Sequence, residues 1–316
     1  MSDVSRDRIL VTGSRFVTSS HLRSLRAAGF SVTRLEDAHS KGALAKALVG
    51  KRGYIWGGME VVTEDVLAAA DRLQAIAFPG SGYSEYIPAW KEATRRGIAI
   101  STAVGLNAPS VSEYALTLML AMSRGLPAVS ARPPIEPSSP AHELARLTLG
   151  VVGVGHTGLR TARLGKVLGM RVLATGRRKP RGLDDGVEPV TLKQLLELAD
   201  IVSLHVDRVH GRHVLGDGEL KRMKKGALLV NVAFPDAVDC EALHSQLQAG
   251  RLRAAFDAPP SPEFTDLPPD RFLASGKQVA FDTVEANRRV GDRVTQAMLN
   301  MLTRGDDEGI VNKDGG

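Results

Sequence analysis

Leu147-Thr148-Leu149-Gly150-Val151-Val152-Gly153-Val154-Gly155-His156-Thr157-Gly158 sets an apolar run directly before a Gly-x-Gly-x-x-Gly string, and that order decides the fold. The run reads as a buried strand and the residues after it open a helix, the context in which such a string carries weight. Gly153 permits the tight turn, Gly155 lets the backbone approach a pyrophosphate, and Gly158 allows the helix to pack closely on the strand. The helix N-terminus then offers N–H groups and a partial positive charge to phosphates. His156 and Thr157 are either phosphate neighbours or loop residues acting through their backbone, and a glycine turn without a ligand is the bland alternative.

The next strand, Arg171-Val172-Leu173-Ala174, runs out to Gly176. A protein that takes NAD places an acidic residue there, to hold the adenosine ribose hydroxyls. Here Arg177 and Arg178 follow instead, two guanidinium groups suited to bidentate pairing with a ribose 2′-phosphate, with no carboxylate to repel it. The expectation is NADP(H). A solvated basic turn would read the same way.

The same strand-helix alternation continues on both sides of the glycine loop. Downstream strands are read at Ile201-Val202-Ser203-Leu204, Ala227-Leu228-Leu229-Val230 and Ala254-Ala255-Phe256, with a closing helix over 284–302. Upstream, strands at 9–13, 31–35, 54–56 and 73–78 alternate with helices at 19–28, 43–49 and 64–70. Such alternation predicts parallel sheets covered on both faces. A longer helix is read over 110–122, after Asn107-Ala108-Pro109. The stretch 125–140 carries Pro127, Pro133, Pro134, Pro137 and Pro140 and is read as a surface connection. The fold class is therefore α/β, two doubly wound, Rossmann-like parallel-sheet domains with a cleft between them.

Length and composition agree with that reading. A chain of 316 residues favours two domains. Hydrophobic residues at 43% and charged residues at 24% are ordinary for a folded protein and argue against a disordered or fibrous chain. The single cysteine, Cys240, excludes an internal disulfide, and no apolar run is long enough for a signal-peptide core or a membrane span. A cytoplasmic protein with no membrane partner is expected. The charge of +6 invites nucleic acid as a partner, but aromatic content is 4% and no nucleic-acid module motif occurs, so none is expected. His210 and His213 have no nearby carboxylate or thiol pair, so no metal site is expected either.

The order of motifs resembles the D-2-hydroxyacid dehydrogenase family. The likeness is carried by Ala93–Ile100, by Asn107-Ala108-Pro109-Ser110-Val111-Ser112-Glu113-Tyr114-Ala115-Leu116, by Leu149–Met170 and by Ala199-Asp200-Ile201-Val202-Ser203-Leu204-His205-Val206. The resemblance implies a substrate-side domain at 1–105 plus 284–316 and a dinucleotide-binding domain at 106–283. It also implies a homodimer built through the latter and a small-molecule substrate. Gly80-Ser81-Gly82-Tyr83 looks like the family's substrate loop, whose N–H groups can make an anion nest; an ordinary strand-to-helix turn is the alternative. Asn107 and Phe234 are placed by the resemblance beside the substrate, and Val232, Ala233 and Asp257 beside the cofactor.

The family's chemistry uses an arginine to hold a 2-oxo acid, a histidine to pass the proton and a glutamate to tune that histidine. The arginine follows a segment similar to Val230-Asn231-Val232-Ala233, where this chain has Phe234 and Pro235. The glutamate lies three residues after an aspartate resembling Asp257, a position held here by Pro260. The histidine precedes a segment similar to Thr283-Val284-Glu285-Ala286, where Val279-Ala280-Phe281-Asp282 stands, and no histidine follows His244. The expectation is an NADP(H)-dependent oxidoreductase with altered catalytic residues, reducing a ketone, enone or imine less anionic than a 2-oxo acid. Tyr83, Asp282 and Tyr86 are the candidate proton donors, although Asp282 is equally suited to cap the last helix. The alternative is a non-catalytic NADP(H)-binding scaffold.

Overall fold

The computed structural model describes residues 8–36, 40–136, 140–177, 183, 185–208 and 212–313. The chain divides into two compact units, Met1–Asn107 with Thr283–Gly316, and Ala108–Asp282.

The first unit is built on five strands: β1 (Arg8–Thr12), β2 (Ser31–Leu35), β3 (Gly53–Ile55), β4 (Ala75–Phe78) and β5 (Ala99–Thr102). All pair in parallel, in the order β2-β1-β3-β4-β5. Ile9, Leu10, Val11, Tyr54, Ile55, Ile76 and Ala77 are fully buried, as strands covered on both faces require. One face packs on the helices Lys41–Leu48 and Glu64–Ala69 through Leu44, Leu48, Val66 and Leu67. The other packs on Ser19–Ala27 and on the closing helix Val284–Arg304 through Leu22, Leu25, Val290, Val294 and Met298.

The edge strand β5 is covered by the chain after the closing helix. The Thr102 N–H donates to the Gly309 carbonyl and the Val311 N–H to the Ile100 carbonyl, while Asn312 Oδ1 accepts from the Ile100 N–H. Asp307, wholly buried, anchors this segment by accepting from both Nη atoms of Arg293 (3.1 and 2.5 Å), from Ser101 Oγ and from Asn300 Nδ2.

The second unit carries β6 (Thr148–Val152), β7 (Arg171–Thr175), β8 (Val187–Pro189), β9 (Ile201–Leu204), β10 (Leu228–Asn231), β11 (Arg253–Phe256) and β12 (Phe272–Ala274). They form one parallel sheet in the order β12-β11-β10-β9-β6-β7-β8. Two successive strands, β7 and β8, extend one way from β6, and the strands from β9 onward extend the other, so the switch point lies between β6 and β9. In open α/β sheets ligands bind beyond the carboxyl ends of the strands at such a point.

Three local readings change. The long helix starts at Ala108, because Pro109 is tolerated in a first turn whose N–H groups lack intrahelical partners. The proline-rich stretch is not wholly an irregular surface connection: Leu126–Val129 forms a helical turn with Pro127 near its start, and Ala128 is buried. The closing helix is capped by Thr283, whose Oγ1 accepts from the Ala286 N–H at 3.1 Å, and not by Asp282. Among the described residues no helix is long and apolar enough to cross a membrane.

Candidate functional site

The glycine loop leaves β6 at Gly153, whose φ of +97° is open to glycine and strained for other residues. A Cβ there would also lie 2.2 Å from the His205 carbonyl oxygen, so the loop and the end of β9 meet backbone to backbone at the switch point. Gly158 is closed in a second way: a Cβ would lie 1.8 Å from the Gly153 carbonyl oxygen. Gly155 differs from both, being exposed with nothing of the protein within 4 Å of a Cβ. It precedes the helix His156–Val167, which has no side-chain cap. A helix N-terminus with an open glycine before it suits a phosphate drawn up to the backbone. His156 is exposed and Thr157 half-buried on the first turn. These residues fit a dinucleotide, which would lie against Gly153–Gly158.

Arg177 stands beyond the end of β7, largely exposed, with its Nη2 3.5 Å from Asp207 Oδ2. The expectation of no neighbouring carboxylate is therefore corrected. Asp207 belongs to the segment after β9, thirty positions along the chain, and only the fold brings it to Arg177. Arg178 lies outside the described residues.

His205 follows β9 beside the loop. Its Nε2 is 2.9 Å from the Ser203 hydroxyl, and its buried Nδ1 has no hydrogen-bond partner among the described residues. Burial pushes the imidazole down to about 3, so it is neutral over the physiological range. The expected result in an NMR titration is no change of its ring resonances between pH 8 and 5; a midpoint near the ordinary histidine value would contradict this environment.

The turn after β10 is braced by Asn231, a buried residue that sequence reasoning passed over. Its Nδ2 donates to the Phe234 carbonyl (2.9 Å) and its Oδ1 accepts from the Ala233 N–H (3.0 Å). Val232, Ala233 and Phe234 are half-buried along this turn. Arg208, also passed over, lays its guanidinium 4.5 Å from the centre of the Phe234 ring and pairs through Nε with Asp236 at 3.1 Å.

Asp257, at the end of β11, is buried, and its carboxylate accepts from Ser275 Oγ, the Val279 N–H and the Ala280 N–H at 2.8–3.0 Å. The side chain thus holds the segment 275–280 in place. Asp282 is half-buried just beyond, its N–H donating to the Val279 carbonyl. Pro260 is exposed.

In the first unit, Gly80, Ser81 and Gly82 follow β4 as a strand-to-helix turn. Gly82 has φ −81° and ψ 31°, and neither Gly80 nor Gly82 has a positive φ, so the nest with a left-handed residue is absent. The Tyr83 ring meets Trp90 edge-on with centroids 6.3 Å apart. Tyr86 packs against Trp56 and Phe78 at 4.9 and 5.8 Å, beside the core of this unit. Asn107, half-buried, ends the first stretch of the unit, next to Leu106, whose carbonyl accepts from Arg289 Nε. The structure brings Gly153–Gly158, His205, the Val232–Phe234 turn and Asp257 to the carboxyl edge of one sheet; Gly80–Tyr83 and Tyr86 belong to the other unit.

Residues 116–280 match the family model described as D-isomer specific 2-hydroxyacid dehydrogenase, NAD binding domain. Hydroxypyruvate reductase of Thermotoga maritima is 32% identical over 257 residues, covering 76% of this chain and 81% of that protein. Glyoxylate reductase of Korarchaeum cryptofilum is 30% identical over 256 residues, covering 75% and 76%. The structure of TT0316 protein from Thermus thermophilus aligns with a TM-score of 0.85 at 28% identity, over 96% of this chain and 99% of that one. The glycine loop at the sheet's switch point and these likenesses agree, and the chain belongs to the D-isomer specific 2-hydroxyacid dehydrogenase family of nicotinamide-dependent oxidoreductases.

Proposed function

We propose that this protein is an NADP(H)-dependent reductase with altered catalytic residues, acting on a ketone, enone or imine less anionic than a small 2-oxo acid. The observation that carries the reading is Phe234 on the Asn231-braced turn, covered by an arginine already paired with Asp236. An apolar ring beside a neutralised cation suits an apolar or aromatic portion of a substrate better than a free carboxylate.

A bound nicotinamide supplies the hydride, so the protein is left to bind, orient and protonate. Gly153, Gly155 and Gly158, with the first-turn amides of His156 and Thr157, would hold the pyrophosphate. Val232, Ala233 and the Asp257-supported segment would line the nicotinamide side. Tyr83, Tyr86 and Asp282 are the candidate proton donors. Exposed Leu120, Leu126 and Val129 support self-association of the cofactor-binding unit as a homodimer, and a cytoplasmic location is proposed from the cysteine content. Pro260 and the absence of histidine after His244 favour one second reading, a non-catalytic NADP(H)-binding scaffold.

Arg177 tests the cofactor preference. Arg177→Gln is expected to weaken NADPH binding about 10-fold, as loss of a charge-assisted hydrogen bond does, and to leave NADH binding unchanged. Equal loss for both cofactors in a fluorescence titration would count against the 2′-phosphate role.

A further inference from the structure

Arg177 and Asp207 meet across the carboxyl end of β6, where the chain turns into the glycine loop. Arg177 lies two residues beyond β7 and Asp207 three beyond β9, and these are the two strands that flank β6. Backbone bonds tie both flanks to that end: the Gly153 N–H donates to the Thr175 carbonyl (2.9 Å) and the His205 N–H to the Val152 carbonyl (2.7 Å). Arg177 Nη2 reaches over to Asp207 Oδ2 at 3.5 Å, with both side chains largely exposed. In a fold of this kind, a dinucleotide whose pyrophosphate lies on the glycine loop turns its adenosine ribose toward the end of the second strand, here β7. A 2′-phosphate brought to Arg177 therefore arrives beside a carboxylate.

We propose that Asp207 is a specificity-determining residue for the nicotinamide cofactor: its carboxylate competes with a 2′-phosphate for Arg177 and repels it, holding the preference for NADP(H) over NAD(H) below what Arg177 alone would give. This rests on the proposed NADP(H) reading and deepens it. A phosphate monoester carries a charge of about −1.5 to −2 at pH 7 and gains from a guanidinium through charge-assisted hydrogen bonds. Asp207 opposes that gain twice, by engaging one end of the guanidinium and by setting a like charge close to the arriving phosphate. A ribose 2′-hydroxyl is neutral, meets no such repulsion and can donate to a carboxylate. Because the pair is exposed, its effect is modest and falls as salt is added.

The test is calorimetric titration of NADPH and of NADH into the full-length protein, with no substrate present. Asp207→Asn keeps the shape of the side chain and removes its charge. It is expected to raise the NADPH-to-NADH affinity ratio about 5-fold at low ionic strength, the scale of an exposed charge pair. That gain should shrink to about 2-fold in about 0.5 M salt, where exposed charges are screened. Asp207→Glu retains the carboxylate and should stay within about 2-fold of the wild-type ratio. A ratio in Asp207→Asn equal to that of the wild type, a gain that added salt leaves undiminished, or the same gain in Asp207→Glu would each overturn the proposal. Both cofactors are titrated into the same protein, so the ratio cancels any loss of folded material. Arg177→Gln in the same titrations separates the two readings: selective loss of NADPH there with an unchanged ratio in Asp207→Asn defeats this inference alone, whereas equal loss of both cofactors defeats the NADP(H) reading on which it rests.

Discussion

Replacing Gly158 by valine will destabilise the cofactor-binding unit and abolish useful nicotinamide binding, whereas Gly155→Ala will weaken binding and leave stability almost intact. At Gly158 the added Cβ meets the Gly153 carbonyl at 1.8 Å, and backbone cannot rotate aside as a side chain can. Overpacking of this kind costs about 1–3 kcal/mol, and the displaced loop should lose on the order of 100-fold in affinity, since small misplacements of positioned groups have effects of that size. At Gly155 an alanine meets nothing within 4 Å, and the residue's φ of −77° suits any side chain. Only a ligand approaching that backbone would feel the methyl group. The check is thermal melting beside NADPH titration of both variants. A Gly155→Ala protein that binds as the wild type does would place the pyrophosphate elsewhere.

The second large effect lies far from the glycine loop. Asp307→Ala is expected to cost about 3–5 kcal/mol, because it leaves Arg293 mostly buried without its bidentate partner. It also releases the segment that covers the β5 edge. Burial opposes the Asp307 charge, but hydrogen bonds from Arg293, Ser101, Asn300 and the Gly309 N–H outweigh it and hold the carboxyl well below the usual carboxylate range. With the folded pKa below the unfolded one, the unfolded chain takes up the proton first as pH falls. The contribution is therefore complete above about pH 5 and is lost progressively below about pH 4. Denaturant unfolding of wild type and Asp307→Ala at pH 7 and pH 3.5 should show the gap between them narrowing at the lower pH. A gap independent of pH would contradict an ionised Asp307 in the folded protein.

What was legible in the sequence was local. The glycine loop could be read because strand, turn and helix are contiguous, and each glycine's role follows from spacing alone. The buried strands could be read from their apolar runs, and both parallel sheets followed from their alternation with helices. The short strands β8 and β12 were not, since each buries one residue only, unlike the wholly buried β3, and they exist through pairing with β7 and β11. Thr283 and Asp282 are both capable caps standing side by side, and only backbone geometry chooses Thr283. The contacts that shape the site join residues remote in sequence: Arg177 with Asp207, Asp257 with Val279 and Ala280, Arg208 with Phe234. Each residue type was visible, but the partner that gives it a role was not. Phe234 read alone is an apolar substitution, and with Arg208 above it the position keeps a guanidinium drawn from a different loop.

The proposed function is that of an NADP(H)-dependent reductase whose substrate is not a small 2-oxo acid. The most direct test follows nicotinamide oxidation by the full-length protein, with NADPH and NADH in parallel, across a panel of ketones, enones, imines and small 2-oxo acids. Such a reductase binds the nicotinamide in a manner that depends on the 2′-phosphate and turns over only the less anionic members. Saturating NADPH turnover on small 2-oxo acids, or no binding of either nicotinamide, would contradict it.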